Sequence, residues 1–210
     1  MRSDPTAVRR HDAFAGHLEQ LFACRACPGV AGAPVTGAVR GARILLVGQA
    51  PGPRENDERK PFAWTAGRRL FSWFDAIGVT ESRFRDRVYI AAAIRCFPGR
   101  SPQGGDRVPS KEEVARCGLH LDREIVILRP DLVIGVGALA ADLLLGDSSL
   151  ARLVGKKHQA TRAGRRFEVI VLPHPSGRST WLNRDENRAL LDRSLALIRR
   201  HPAWKATFDS

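Results

Sequence analysis

Four short apolar runs, alternating with helical patterns, constrain the fold of this chain more than any other feature of its sequence. The runs cover residues 42–49, 88–95, 131–137 and 168–173. Each is apolar along most of its length, which is typical of strands buried on both faces of a parallel sheet. We therefore expect an α/β fold built on a four-stranded parallel sheet. No linker divides the chain, so residues 1–210 are predicted to form one domain.

Helices are predicted where apolar residues recur at helical spacing. These patterns cover residues 9–23, 66–78, 138–146 and 188–200. A further helix is expected to start after Ser110, because Glu113 follows it at the spacing of a capping box, and to end at Pro130. Two β-type segments around a basic turn predict a hairpin that leads into the last strand.

The charge balance points to a polyanionic partner. The formal net charge is +12, and 29 of the 34 basic residues are arginine. Arginine binds phosphate through two parallel hydrogen bonds and stacks on bases, so nucleic acid is the first candidate. A GC-rich genome would also favour arginine over lysine, but it does not explain the excess of positive charge.

The four cysteines indicate a metal site. Cys24 and Cys27 form a C-x-x-C pair, and Cys96 and Cys117 lie far downstream. A disulfide framework is unexpected, because nothing in the sequence suggests secretion. Four thiolates of this kind suit zinc or an iron–sulfur cluster. Scattered buried cysteines remain the alternative.

Several cellular locations are disfavoured by the sequence. No apolar run approaches the ~20 residues that cross a bilayer, so no membrane partner is expected. The first residues carry charge and no apolar core, which disfavours a signal peptide. Richness in arginine, alanine and glycine favours a bacterial cytoplasm. A monomer is the default expectation.

The loop after the first strand carries residues suited to a ligand site. In a parallel sheet, ligands bind beyond the carboxyl ends of the strands. Gly48 opens a turn that allows backbone amides to approach a ligand closely, and Gln49 offers both a donor and an acceptor. Glu55 brings acid into a basic protein, and Phe62 suits stacking on a planar ligand. A solvated loop with Phe62 in the core is the alternative.

The loop after the fourth strand contains a second candidate group. His174 lies between two prolines where the strand ends, a position suited to a catalytic histidine. Ser176 and Gly177 form a turn, and Arg178 and Ser179 suit phosphate contacts. A purely structural histidine is the alternative.

Two further motifs are weaker. Residues 135–140 match a dinucleotide-binding pattern, but they follow the third strand and lack the ribose-binding acid downstream. Close packing of helix on sheet explains them better, so no nucleotide cofactor is expected. Lys156 and Lys157 belong to a basic run expected at the hairpin tip, where they could track phosphates.

Taken together, these motifs resemble the iron–sulfur branches, families 4 and 5, of the uracil-DNA glycosylase superfamily. GQAPG at 48–52 is similar to the family 4 signature GEAPG, and PF at 61–62 and AG at 66–67 continue the pattern. YIAAAIRC at 89–96 resembles the motif that ends in the third cluster cysteine, and HPS at 174–176 matches the final motif. The resemblance covers about residues 20–200.

The resemblance implies a three-layer α/β/α sandwich and a monofunctional DNA glycosylase of base excision repair. A flipped uracil would stack on Phe62, and His174 would donate a hydrogen bond to its O2 atom. The HPS loop would hold single- or double-stranded DNA. A [4Fe–4S] cluster is implied on Cys24, Cys27, Cys96 and Cys117, tied to the N-terminal helix.

Two positions depart from the family 4 pattern. Gln49 stands where family 4 has glutamate, so it can position water but cannot deprotonate it. Glu55 and Asp57 are the two candidates for a compensating negative charge. Ala92 stands where family 4 has an asparagine that reads the uracil edge, which resembles family 5 and its wider range of bases. These departures leave two alternatives: a disabled nucleic-acid binder, and a redox sensor on the same fold.

Overall fold

A computed structural model describes residues 5–177 and 179–209, with side chains from residue 12 onward. The strands are β1 (Ile44–Gly48), β2 (Tyr89–Ala92), β3 (Leu132–Val136), β4 (Lys157–Arg162) and β5 (Arg165–Leu172). The helices are α1 (Pro5–Ala23), α2 (Pro53–Glu58), α3 (Thr65–Asp75), α4 (Glu81–Arg87), α5 (Lys111–Leu128), α6 (Ala138–Leu145), α7 (Leu150–Leu153), α8 (Asp185–Arg200) and α9 (Pro202–Phe208). A single 3₁₀ turn covers Trp181–Asn183.

The sheet has five strands in the order β2-β1-β3-β5-β4. The first four in this order are parallel, as predicted, and β4 pairs antiparallel with β5 at the edge. The expectation of four strands therefore omits one. The predicted hairpin exists, and its first arm joins the same sheet. This arm is polar and half-exposed, so its sequence lacks the apolar run that marks the buried strands.

Both faces of the sheet are covered, which gives the expected three layers. Successive residues of a strand point to opposite faces, so each buried strand contributes to two cores. On one face Leu46 and Ile134 pack with α3, α4, α8 and α9. On the other face Leu45 and Val133 pack with α1, α5 and α6. Full burial of the strand residues explains why β1 and β3 read as continuous apolar runs.

The long helices begin and end close to the predicted positions. Ser110 caps α5, its hydroxyl accepts from the Glu113 amide, and the Glu113 carboxylate accepts from the Ser110 amide at 2.8 Å. The capping box is thus confirmed. The short helices α2, α4, α7 and α9 are not predicted by the periodicity, because each has 4 to 7 residues. Within the described part of the chain, no helix is long and apolar enough to span a membrane.

Candidate active site

A cavity of about 650 Å³ opens at the carboxyl ends of β1 and β2, beside the loop that follows β5. This is where ligands bind in parallel sheets. Its lining includes most of the predicted base-binding and catalytic residues: Gly48, Gln49, Glu55, Phe62, Ala92, His174, Ser176 and Ser179. These residues are up to 131 positions apart in the sequence, and the parallel sheet brings them to one edge.

His174 is held in one orientation by its own loop. Its Nδ1 atom accepts a hydrogen bond of 3.2 Å from the Ser176 backbone amide. Burial lowers the pKa of His174 below its usual value, which favours the neutral ring. Because Nδ1 is the acceptor, the proton of the neutral ring is on Nε2. The side chain therefore presents a neutral N–H donor.

Gly137 provides the surface on which the His174 ring rests. A Cβ atom at this position would lie 3.2 Å from His174 Cδ2 and 3.4 Å from its Cβ. Gly137 also has φ +90°, in the left-handed region that favours glycine. Gly137 is the second glycine of the pattern at 135–140 and lies directly before α6. Packing against the histidine thus explains one glycine of that pattern.

Gln49 and Glu55 approach the cavity from the segment after β1. The Gln49 carbonyl accepts from the Ile94 amide at 3.2 Å, which anchors its backbone beside β2. Its side-chain amide has no hydrogen-bond partner among the described residues, so it is available to a ligand. Glu55 is buried in the first turn of α2, where its Oε2 atom accepts from the Gly52 amide at 3.1 Å. Asp57 is exposed on the same helix and does not line the cavity.

The Phe62 ring lies against the end of β1. A Cβ atom on Gly48 would be 2.9 Å from Phe62 Cζ, so the glycine allows the ring to sit on the strand. The Phe62 backbone is left-handed, with φ 53°, which is rare for an aromatic residue. Gly67 packs on this backbone so closely that a Cβ there would lie 1.8 Å from the Phe62 carbonyl oxygen. The glycine of the AG motif is therefore required by contact with Phe62.

Arg85 of α4 holds this conformation from the other side. Its guanidinium donates to the Pro61 carbonyl at 2.8 Å and to the Phe62 carbonyl at 3.0 Å. The same group donates to Glu81 at 2.8 Å and lies 4.4 Å from the centre of the Phe71 ring. Sequence reasoning missed Arg85, because one arginine among 29 gives no signal before the tertiary contact is known.

Ala92 connects the cavity to a buried ion pair. Its carbonyl accepts from the guanidinium of Arg95, which also pairs with Glu124. Burial alone would raise the pKa of Glu124, but Arg95 and the hydrogen bonds from His17 and Tyr89 more than offset it and lower the pKa. Arg95 therefore fixes the end of β2 next to the cysteines.

The four cysteines line a second, smaller cavity of about 90 Å³, between the end of α1, the segment after β2 and α5. The Arg95 amide donates to Cys117 Sγ at 3.3 Å. Burial raises the pKa of Cys96 to about 11, and the neighbouring thiols of Cys117, Cys24 and Cys27 add to the shift. No group of three or more His, Cys, Asp or Glu side chains in the described chain is arranged to hold a single metal ion.

A hairpin between Cys96 and α5 reaches from the cysteines to the large cavity. Arg107 donates to both Glu113 oxygens, at 2.7 and 2.9 Å, and to the Gly29 carbonyl near the C-x-x-C pair. The neighbouring Asp106 and Arg100 line the large cavity. Neither was identified from the sequence, because their place beside the cavity depends on how this hairpin packs.

Of the remaining predicted DNA contacts, Gly177, Lys156 and Lys157 lie outside the cavity lining. Gly177 is exposed, and Arg178 falls outside the described residues. The basic run 155–166 contains the hairpin tip, at Ala163 and Gly164. The two lysines themselves do not lie at the tip, because Lys157 begins β4 and Lys156 precedes it. Lys157 pairs there with Glu168 at 3.2 Å.

The fold and the cavity define a class of protein: an α/β/α domain that offers a planar ligand an aromatic ring and a fixed histidine at the ends of parallel strands. A family model described as the uracil DNA glycosylase superfamily matches residues 34–198. The chain belongs to this superfamily.

Several curated relatives are named type-4 uracil-DNA glycosylases. A type-4 uracil-DNA glycosylase of Archaeoglobus fulgidus is 29% identical over 174 residues, which is 76% of this chain and 79% of the relative. The type-4 enzyme of Thermotoga maritima is 32% identical over 134 residues, 64% of this chain and 65% of the relative. The type-4 enzyme of Sulfurisphaera tokodaii is 31% identical over 142 residues, 64% of this chain and 60% of the relative.

Proposed function

We propose that the chain is a uracil-DNA glycosylase that hydrolyses the bond between uracil and deoxyribose and leaves an abasic site. The observation that carries the proposal is the fixed Nε2–H donor of His174. This is the one histidine among the described residues that line the cavity. Membership of the superfamily and the printed activity of its type-4 relatives support the same reaction. The cavity has room for a single extruded base.

The first step is extrusion of the base from the DNA stack, because its glycosidic bond is shielded in the duplex. The base stacks on Phe62, whose ring is backed by Gly48. Ala92 supplies no hydrogen bond from its side chain, so reading of the base edge falls to backbone groups and to the Gln49 amide. This predicts weaker discrimination among deaminated bases than a dedicated asparagine would give.

Bond cleavage then places negative charge on the base and positive charge on the sugar. The electron pair of the C1′–N1 bond moves to the base, and His174 stabilises this charge by donating from Nε2 to the O2 atom. A neutral donor suits this task, because it is already oriented and needs no prior proton uptake. Water, positioned by Gln49 and favoured by the negative charge of Glu55, then adds to C1′ of the sugar. The added water loses a proton to solvent, and the uracil anion takes up a proton from solvent as it leaves.

The reaction we propose is monofunctional. Cleavage of the strand after base release needs an amine that attacks the sugar. No lysine is present among the described residues that line the cavity. Lys157 begins the edge strand and Lys156 precedes it, and both are proposed only as outer phosphate contacts. DNA as the polyanionic partner agrees with the net charge of +12. A monomeric state and a bacterial cytoplasmic location stay predictions.

The four cysteines fit a [4Fe–4S] cluster better than a single zinc ion. Thiolates on one zinc converge to within about 4 Å of each other, as the Zn–S bond length of roughly 2.3 Å requires. Cys24, Cys27, Cys96 and Cys117 instead surround a cavity, and no three of the described groups suit one ion. A bound cluster would supply a covalent tie between α1, the end of β2 and α5, next to Arg95.

Two measurements test these proposals. Incubation of the cluster-loaded protein with an oligonucleotide that carries one uracil is expected to release free uracil and leave an alkali-labile site, with no strand break before alkali. Oligonucleotides with thymine or cytosine at that position are the controls. Iron and labile sulfide analysis is expected to give about four irons per chain, which Cys96→Ser lowers. One zinc per chain would refute the cluster.

A further inference from the structure

Trp64 is an exposed aromatic residue at the mouth of the large cavity. It lines the cavity, yet 44% of its surface is accessible to solvent. It lies two residues after Phe62, which forms the inner stacking surface. The exposed part of the ring gains nothing from burial, so packing alone does not account for a tryptophan at this place. Its position therefore calls for a different explanation.

Two arginines flank the Trp64 ring. The guanidinium carbon of Arg54 lies 4.8 Å from the ring centre, and that of Arg68 lies 5.3 Å from it. Neither guanidinium forms an ion pair or a side-chain hydrogen bond with any described residue. Both side chains are exposed. Two like charges near one ring repel each other, and a bound anion between them would remove that repulsion.

We propose that Trp64, Arg54 and Arg68 form a subsite for a nucleotide next to the extruded uracil. An unpaired base stacks on Trp64, displacing one guanidinium from the ring, and the two arginines bind the phosphates on either side. Arg54 lines the cavity whereas Arg68 does not, so the subsite leads from the cavity to the protein surface. Successive bases then rest on Phe62 inside and Trp64 outside.

This subsite selects single-stranded DNA. In a duplex the neighbouring base is stacked and paired, so occupying Trp64 would need a second disruption. A single strand offers its bases freely, and stacking on an aromatic residue tolerates any base. The inference rests on the proposed function for the position of the extruded base, but binding of the single strand itself needs no base release.

The test measures binding of a uracil-free, dye-labelled thymidine oligonucleotide by fluorescence anisotropy, beside a duplex of the same length. Trp64→Ala is expected to weaken binding to the single strand about tenfold and to leave the duplex almost unchanged. Trp64→Phe should keep most of the affinity. Phe22→Ala is the matched control, because Phe22 is 46% exposed on α1, away from the cavity.

The arginines are tested by salt dependence. Each of Arg54→Gln and Arg68→Gln should reduce the slope of log affinity against log salt by about 0.7 for the single strand. Arg166→Gln removes an exposed arginine from β5 and should leave the slope unchanged. Equal losses for single strand and duplex in Trp64→Ala, or no loss in either, would overturn the subsite. Absence of uracil release by the wild type would refute the proposed function without changing these binding results.

Discussion

The guanidinium of Arg85 donates a 3.0 Å hydrogen bond to the carbonyl of Phe62, whose backbone is left-handed at φ 53°. Left-handed backbone at an aromatic residue costs on the order of 1–3 kcal/mol and persists only where surrounding groups impose it. Arg85 imposes it here together with Gly67, whose lack of a Cβ atom lets α3 pack directly on the Phe62 carbonyl. The stacking surface of the proposed site thus depends on a residue of α4 that does not line the cavity.

Loss of Arg85 should therefore lower activity through Phe62. Arg85→Met removes both carbonyl contacts, and we expect base release under single-turnover conditions to slow about tenfold, with a smaller change in thermal stability. Arg85→Lys should recover part of the loss. Arg87→Met removes an exposed arginine from the last turn of the same helix and serves as the control. Equal rates in Arg85→Met and Arg87→Met would contradict the positioning role.

Gly137 and Gly146 lie at the two ends of α6. A comparison of their alanine variants distinguishes the effect of backbone strain from the effect of contact with His174. Both have positive φ, +90° and +68°, so alanine is strained at either position, and more strongly at Gly137, whose ψ of 168° lies in a region almost restricted to glycine. Only at Gly137 would the new Cβ press on His174, at 3.2 Å. Gly137→Ala should lower the rate of base release at least tenfold, whereas Gly146→Ala should lower only stability. Similar rates for the two variants would refute the contact as the cause.

The lowered pKa of His174 sets the pH dependence of base release. Burial lowers this pKa, so the neutral donor persists below the usual histidine value of about 6.5. The rate of base release should be level from pH 8 to about 6.5 and fall only at lower pH. The buried, neutral His174 also contributes to the free energy of unfolding. This contribution is complete above about pH 6.5, the usual pKa of an unfolded histidine, and is lost as the pH falls through the lowered pKa. A rate that rises steadily from pH 8 to 6 would indicate a cationic donor instead.

The buried pair of Arg95 and Glu124 should contribute strongly to stability. Both side chains are 1% exposed, so Glu124→Gln leaves a buried guanidinium without its counter-charge. We expect a loss of about 3–5 kcal/mol in the free energy of unfolding. Asp131→Ala breaks the exposed pair with Arg43 and should lose less than about 1 kcal/mol. Urea unfolding at equal iron content provides the comparison. Near-equal losses would contradict the account.

The sequence predicts the parts of this fold that depend on local pattern. The buried strands and the Ser110 cap follow from apolar runs and from a motif of four residues. The antiparallel strand β4 is missed as a member of the sheet, because its polar residues reflect an edge position that only the assembled sheet defines.

The sequence likewise identifies some residues of the candidate site and not others. His174, Gln49 and Phe62 stand out because they follow strands, and a parallel sheet gathers such positions at one edge. Arg85 and Asp106 could not be identified, because their places beside Phe62 and in the cavity depend on how a helix and a hairpin pack. Trp64 is visible in the sequence, but its two arginines are not separable from the others without the structure.

The most direct test of the central claim is single-turnover release of uracil by the wild type, His174→Ala and His158→Ala at equal iron content. His158 lies on β4 and does not line the cavity, so its variant controls for the loss of a histidine elsewhere in the fold. We expect rapid release by the wild type, a loss on the order of 100-fold or more in His174→Ala, and little change in His158→Ala. Undiminished release by a folded His174→Ala protein would contradict it.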